Sequence, residues 1–393
     1  RRGGGAPEAV PRRGSMLGLA SGGLVAGGGA AGVSAEISSR FASGWTARDG
    51  VSFLTNFNEE AYGAMRDDTR RTPQFVKAIR QRFAGKEGKL TMLDIGTGPF
   101  ALFALVAARA GAKKVYAIEA NPDAAARARA NVAKATDIEP GTIEVIEGFT
   151  SALKLPEKVD VCCAEIIGVI ASEENCINTI RDAQQRFLKD PSNPESYIPV
   201  SVQTYAAPVS YALHPVLAPP RFERLGGQPL RVNCRDRTVQ LLSDPQLVED
   251  IKFSDPKLPA AGRWSATPPV EFVVSSDRVY ANEKAYYTAL LKEEMKDDEA
   301  RKVARETAES FSGMAFWPRL VLDTKGELIV ESRGPLGEHQ KSHWQTLVSL
   351  MNPTPVPVSA GSVIKVEPQT DLGQDILQPV KYTLQAEIRP VSA

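Results

Sequence analysis

The spacing of apolar and polar positions changes twice along this chain. From Trp45 to Gly85 apolar residues recur at helical intervals, with Met65, Phe75, Ile79 and Phe83 on one face. Pro73 separates two short helices there. From Leu90 the texture becomes strand, glycine loop, helix, strand. Leu93-Asp94-Ile95-Gly96-Thr97-Gly98 ends one apolar strand, and Val115 to Glu119 forms the next. The alanine-rich helix between them stops at Gly111, a natural C-terminal cap. Asn121-Pro122-Asp123 starts another helix, with proline suited to its first turn. Ile143 to Glu147 and Val159 to Cys163 supply further strands, and Glu173 to Leu188 a helix. Such alternation predicts a parallel sheet covered on both faces.

After Tyr197-Ile198-Pro199 short alternating stretches take over: Val200 to Tyr205, Val270 to Val274, Leu320 to Leu322, Leu328 to Glu331, Gln345 to Leu350 and Tyr382 to Ile388. Prolines and glycines punctuate them, as in an antiparallel barrel or sandwich. A highly charged stretch of helical spacing, Asn282 to Ser310, interrupts this part and reads as a solvated helix on the barrel. The expected organisation is a segment outside the fold (1–35), a helical segment (36–89), an α/β cofactor-type domain (90–199) and a β-barrel domain (200–393). The last carries a helical insertion at 282–310.

The totals narrow the function. A length of 393 residues suits two domains, and 47 basic residues balance 47 acidic ones. No global field therefore draws the chain to nucleic acid or an anionic membrane. The four cysteines, Cys162, Cys163, Cys176 and Cys234, lack paired metal spacing, and with three histidines no metal site is expected. Arg12-Arg13 precedes a weakly apolar, glycine-rich run ending at Val33-Ser34-Ala35. Two readings stay open: a cleavable signal addressing a plastid and its thylakoid lumen, or a flexible linker, which leaves cytoplasm or nucleus. The run holds too many glycines for a stable membrane helix, and no membrane association is expected once it is removed.

Candidate chemistry gathers between residues 93 and 174. Asp94-Ile95-Gly96-Thr97-Gly98 lets the backbone turn tightly and approach a ligand with no side chain in the way. By itself this is a tight strand-to-helix turn. Glu119 at the end of the next strand adds a carboxylate able to accept both hydroxyls of a ribose. A pyrophosphate fingerprint would keep a third glycine where this loop has Pro99-Phe100-Ala101. The loop therefore fits S-adenosyl-L-methionine better than NAD. Glu165 leaves a strand end and Glu174 follows nine positions later at an expected helix start, where the helix dipole would favour its charge. Two carboxylates facing one pocket repel unless a cation sits between them. A guanidinium suits that place, because its planar fork pairs with carboxylates. Read alone, Glu173 and Glu174 would be ordinary helix-start acids.

With these motifs on the page, the chain resembles the protein arginine N-methyltransferase family from about Phe53 to its C-terminus. Asp94 to Glu119 is similar to the family's first motifs, and Ala164-Glu165-Ile166-Ile167-Gly168 through Glu174 to its double-glutamate loop. Ser342-His343-Trp344 is similar to its Thr-His-Trp motif, and Met65 to Asp68, Arg71 and Phe75 to its N-terminal helix. The resemblance implies a Rossmann-like class I methyltransferase domain joined near Pro199 to an antiparallel β-barrel, assembled as a homodimer. It implies an arginine-containing protein substrate and S-adenosyl-L-methionine as methyl donor. It places Glu165 and Glu174 on the guanidinium, with His343 closing the pocket from the barrel side, orienting a glutamate or relaying a proton. It places Arg71 on the donor's carboxylate, Glu119 on its ribose, and Asp94, Gly96, Gly98 and Ser151 around it. Four departures stand out. Phe100 lengthens the glycine loop, and Phe53-Leu54-Thr55-Asn56-Phe57 lacks the family's two tyrosines. Ile166 and Ile167 replace Trp-Met, and Ser151 replaces an adenine-contacting glutamate. They keep a second expectation open, that of a catalytically silent scaffold or regulatory subunit of a larger complex. A methyltransferase for another nucleophile is a third.

Overall fold

A computed structural model describes residues 39–47, 58–260, 262–264 and 267–391. The targeting reading of residues 1–35 and the aromatic stretch Phe53 to Phe57 lie outside the described residues. Among the described residues no helix is long and apolar enough to cross a membrane.

Five strands form a parallel sheet in the order Ile143–Glu147, Lys114–Glu119, Thr91–Ile95, Val161–Ala164 and Tyr197–Ile198. Every side chain of Thr91–Ile95 and Val161–Ala164 is buried, the near-continuous apolar reading that a doubly covered parallel strand requires. Cys162 and Cys163 belong to that layer, and burial pushes both thiols far above their ordinary range, so they serve as small core residues. Helix Thr72–Phe83 lays Phe75, Ile79 and Phe83 into the core, with the Phe75 ring stacked on Phe103 at 4.7 Å. Glu59–Arg66 precedes it, and Pro73 occupies the first turn of the second helix.

Beyond Pro199 the pairing becomes antiparallel. Strand Ser201–Tyr211 lies between Gln246–Lys252 and Gly313–Val321, followed by Gln345–Leu350 and Leu230–Asn233. A second sheet joins Ser39–Thr46, Lys381–Arg389, Val363–Asp371, Arg263–Trp264 and Val270–Val273. The fold is thus the expected α/β layer followed by a curled antiparallel β layer. The reading of a helical segment from residue 36 to 89 is corrected at its start. Ser39–Thr46 is a strand in register with Lys381–Arg389. Phe41, Ser43 and Trp45 turn to one side at a period of two, and the Trp45 ring stacks on Tyr382 at 5.3 Å.

The helical insertion also begins earlier than position 282. Ser276–Tyr286, a π turn at Tyr287–Leu291 and Asp297–Ala308 make up the unit. Ser275 caps it by accepting the Arg278 N–H. Asn282 is no solvated residue: its Nδ2 donates to Leu241 O at 2.8 Å. Ala300, Ala304 and Ala308 form the buried stripe of the last helix, leaving its charges outside.

Candidate active site

The carboxyl end of the parallel sheet opens into a cavity of about 1050 Å³, roofed from the barrel side by His343, Trp344 and Arg231. Ligand sites of open α/β sheets gather at this edge. Gly96 and Gly98 hold left-handed backbone, φ +75° and +63°. A Cβ on Gly96 would stand 2.9 Å from the Ile166 side chain, so glycine is needed there on two counts. The N–H groups of Gly96 and Thr97 both donate to Ile118 O, which folds the turn back onto the next strand. Ala101 also adopts left-handed backbone, φ +46°, and takes the place of a third glycine. Phe100 lines the cavity, capped by the Arg66 guanidinium 4.6 Å from its ring centre.

Glu119 faces the same cavity. Its two oxygens accept from Gly98 N at 2.8 Å and Asn121 N at 2.9 Å. Burial raises its pKa against those hydrogen bonds. Asp94 lies beneath the turn, where burial pushes its pKa up to about 6 although Thr97 Oγ1 donates to it at 2.6 Å.

The double-glutamate loop enters the cavity from the opposite wall. Glu165 is ion-paired with Arg71, both side chains being less than a tenth exposed. Glu173 is ion-paired with Arg231, and its second oxygen accepts from Val169 N at 3.0 Å. Gly168 makes room for that return: a Cβ there would lie 2.6 Å from Glu173 Cβ. Among the described residues Glu174 has no partner arginine of its own. Its pKa is pushed up to about 8, first by burial, then by the charges of Glu165 and Glu173, with Arg231 and Arg71 opposing. The expectation of a helix-start Glu174 with a favoured charge is corrected. The helix is Cys176–Arg186, Asn175 stands before it in left-handed backbone, and burial outweighs the helix dipole.

His343 closes the cavity as a partly buried residue, and its partner is Asp68 rather than a glutamate. The His343 backbone N and Nδ1 both lie 2.8 Å from Asp68 Oδ2, while Asp68 Oδ1 accepts from Arg70 N and Arg71 N. The ring packs on Trp344, whose Nε1 donates to Ile167 O at 2.8 Å. Burial resists ionisation of Asp68, but these hydrogen bonds hold its carboxyl well below the usual range. The lowered carboxyl contributes stability above its unfolded value that is lost as pH falls through the folded one. Asp68→Asn should therefore cost about 2 kcal/mol near neutrality. Urea denaturation should find the deficit shrinking below about pH 4.

The structure brings Arg71, Gly96, Gly98, Glu119, Glu165, Glu174 and His343 to one cavity, with Asp94 directly under its glycine turn. Ser151 is not brought there: it is exposed on the short turn Thr150–Ala152. Sequence reading missed the Glu173–Arg231 pair and the tie from Asp68 to His343. It also missed Tyr62, whose ring covers Gly98. Burial first, and then the charge of Glu119, raises the Tyr62 hydroxyl pKa. Among the described residues no cluster could hold a metal ion.

Fold and cavity together define a methyltransferase-type α/β domain carrying a barrel. Residues 70–184 match the family model of ribosomal protein L11 methyltransferase (PrmA). The chain is 37% identical over 179 residues to protein arginine N-methyltransferase PRMT10 of Arabidopsis thaliana, covering 45% of this chain and 43% of that one. It is 35% identical over 136 residues to protein arginine N-methyltransferase 6 of Danio rerio, covering 33% and 38%. The match thus spans less than half the length of these relatives. Among solved structures, Arabidopsis protein arginine methyltransferase 10 superposes with a TM-score of 0.61 at 21% identity, covering 86% of this chain and 95% of that one. The Trypanosoma brucei PRMT1 enzyme–prozyme heterotetramer with AdoHcy superposes at 0.56 and 18% identity, covering 80% and 88%. The resemblance to the protein arginine methyltransferases read from the motifs is borne out in both sequence and fold.

Proposed function

We propose that this protein transfers a methyl group from S-adenosyl-L-methionine to a guanidinium nitrogen of arginine in a protein substrate. One observation carries the reading: the glycine turn with Glu119 and the pair Glu165 and Glu174 open into the same cavity. The residues suit the donor. Among the described residues Arg71 Nε is buried without a hydrogen-bond partner, and the Glu119 carboxylate lines the cavity beside the glycine turn. Arg71 would hold the donor's carboxylate and Glu119 its ribose hydroxyls. When bound, the donor supplies an electrophilic methyl on a sulfonium.

The chain's own residues would do the rest. Glu165 and Glu174 draw the guanidinium charge to one side, leaving the opposite nitrogen richer in electrons and aimed at the methyl. That nitrogen forms the new N–C bond as the S–C bond breaks, and it then loses its proton. His343, fixed by Asp68, stands at the barrel wall to orient the substrate or receive that proton. A homodimer is the proposed assembly, and light scattering on the purified chain tests it. Among the described residues nothing favours the silent-scaffold alternative.

Incubation with labelled donor and an arginine–glycine-rich peptide tests the activity, and absence of label on arginine would overturn it. Glu174 also sets a pH dependence. Its raised pKa of about 8 keeps the free chain's Glu174 largely protonated at neutral pH, and a guanidinium needs it ionised. The ratio kcat/KM should therefore climb with pH and level off above about 8. A Glu174→Gln variant should lack that limb.

A further inference from the structure

Ser172 precedes Glu173 and Glu174, and what holds it comes from the barrel. Strand Gln246–Lys252 carries a register irregularity between Leu247 and Glu249 against its neighbour Ser201–Tyr211. A bulge of this kind turns successive side chains to the same side, and Val248 and Glu249 are both buried, 3% and 4% exposed. Glu249 is thereby aimed beneath the double-glutamate loop. It accepts from Ser172 Oγ at 2.6 Å, Thr204 Oγ1 at 2.6 Å, Ser172 N at 3.4 Å and Thr370 Oγ1 at 3.4 Å.

The proton directions are self-consistent. Tyr382 OH, 2.9 Å from Ser172 Oγ, can donate to it while Ser172 donates onward to Glu249. Thr204 Oγ1 donates to Glu249 and accepts from Ala171 N at 2.8 Å. A buried carboxylate with four donors is a satisfied network, and such networks fix geometry as well as add stability. On the other side of the glutamates, Asn175 Nδ2 donates to Gln378 O at 2.7 Å and Ile376 O at 3.1 Å. The two acids are thus suspended between two anchors, each fastened to the barrel.

We propose that Glu249 is a positioning residue, which fixes Glu174 in the cavity through Ser172 and Thr204 and so sets how tightly a guanidinium is clamped. The inference rests on the proposed transfer to arginine, but its geometry can be tested without activity. The variants are Glu249→Gln, Thr204→Val and Thr204→Ser. The first removes an acceptor at constant size, the second removes only the bridging hydroxyl, and the third restores it. Three measurements are made on the whole chain: hydrogen exchange of the amides from 166 to 175, steady-state transfer to an arginine peptide, and calorimetric binding of S-adenosyl-L-methionine.

Glu249→Gln and Thr204→Val should speed exchange across the loop and lower kcat/KM for the peptide by on the order of 10- to 100-fold. Donor affinity should stay within about twofold, and Thr204→Ser should behave as the parent. Loop exchange and transfer both unchanged would overturn the proposal. So would donor affinity falling in step with transfer, since that is general structural damage. If Glu249→Gln does not fold, the Thr204 pair decides alone. If the unaltered chain transfers no methyl, the functional reading fails, and the exchange data still judge the positioning.

Discussion

Glu174→Gln is expected to lower kcat/KM for arginine methylation by on the order of 10³-fold, with donor binding kept. The substitution leaves volume and hydrogen-bonding capacity almost intact and removes only the ability to become anionic. Glu165 and Glu173 are each matched by an arginine, Arg71 and Arg231. Glu174 is the carboxyl whose charge is unsettled, with a pKa of about 8 caused first by burial. A guanidinium entering the cavity would settle it. Loss of that charge removes an interaction that strengthens as positive charge builds on the reacting nitrogen. Steady-state kinetics with a peptide, beside calorimetry with S-adenosyl-L-methionine, separates the two effects. Equal loss of donor binding would move Glu174 from the guanidinium to the cofactor.

The second large effect concerns the buried pair Arg71 and Glu165. Arg71→Met should destabilise the fold by about 3 kcal/mol, because it leaves a carboxylate enclosed without its counter-charge. Both side chains are less than a tenth exposed, so water compensates little. Transfer should fall below detection, since Arg71 is also the proposed partner of the donor's carboxylate. The double variant Arg71→Met/Glu165→Leu should regain most of the stability in urea denaturation and none of the transfer. If the double variant were no more stable than Arg71→Met, the pair would not be what holds this region together.

How far the sequence could be read follows from the range of each interaction. The parallel layer was legible because strand, glycine turn and acidic residue sit within a few dozen positions, from Leu93 to Glu119. Glu165 and Glu174 were legible as a pair because a strand end and a short loop constrain both. Their surroundings were not. Arg231 reaches Glu173, and Glu249 reaches Ser172, across barrel strands whose order no local pattern records. Strand Ser39–Thr46 was hidden for the same reason: its partner is Lys381–Arg389, at the other end of the chain. Its own period-two signal, Phe41, Ser43 and Trp45, was present but merged with the helical pattern that follows.

Other misreadings came from weighing one local effect against a tertiary one. Glu174 looked like a helix-start acid held ionised by the dipole, yet burial among like charges raises its pKa. Asn282 looked solvated within a charged run and instead fastens the insertion to the barrel. Asp68 showed only its place in a helix pattern, and its tie to His343 is purely tertiary. Ser151 was assigned by correspondence of position, and the turn that carries it faces solvent.

The most direct measurement is fragmentation mass spectrometry of an arginine–glycine-rich peptide after incubation with this chain and S-adenosyl-L-methionine. The account predicts methyl groups on guanidinium nitrogens of arginine, sharply reduced by Glu174→Gln. Methyl groups on any other side chain, or on arginine with Glu174→Gln as active as the parent, would contradict it.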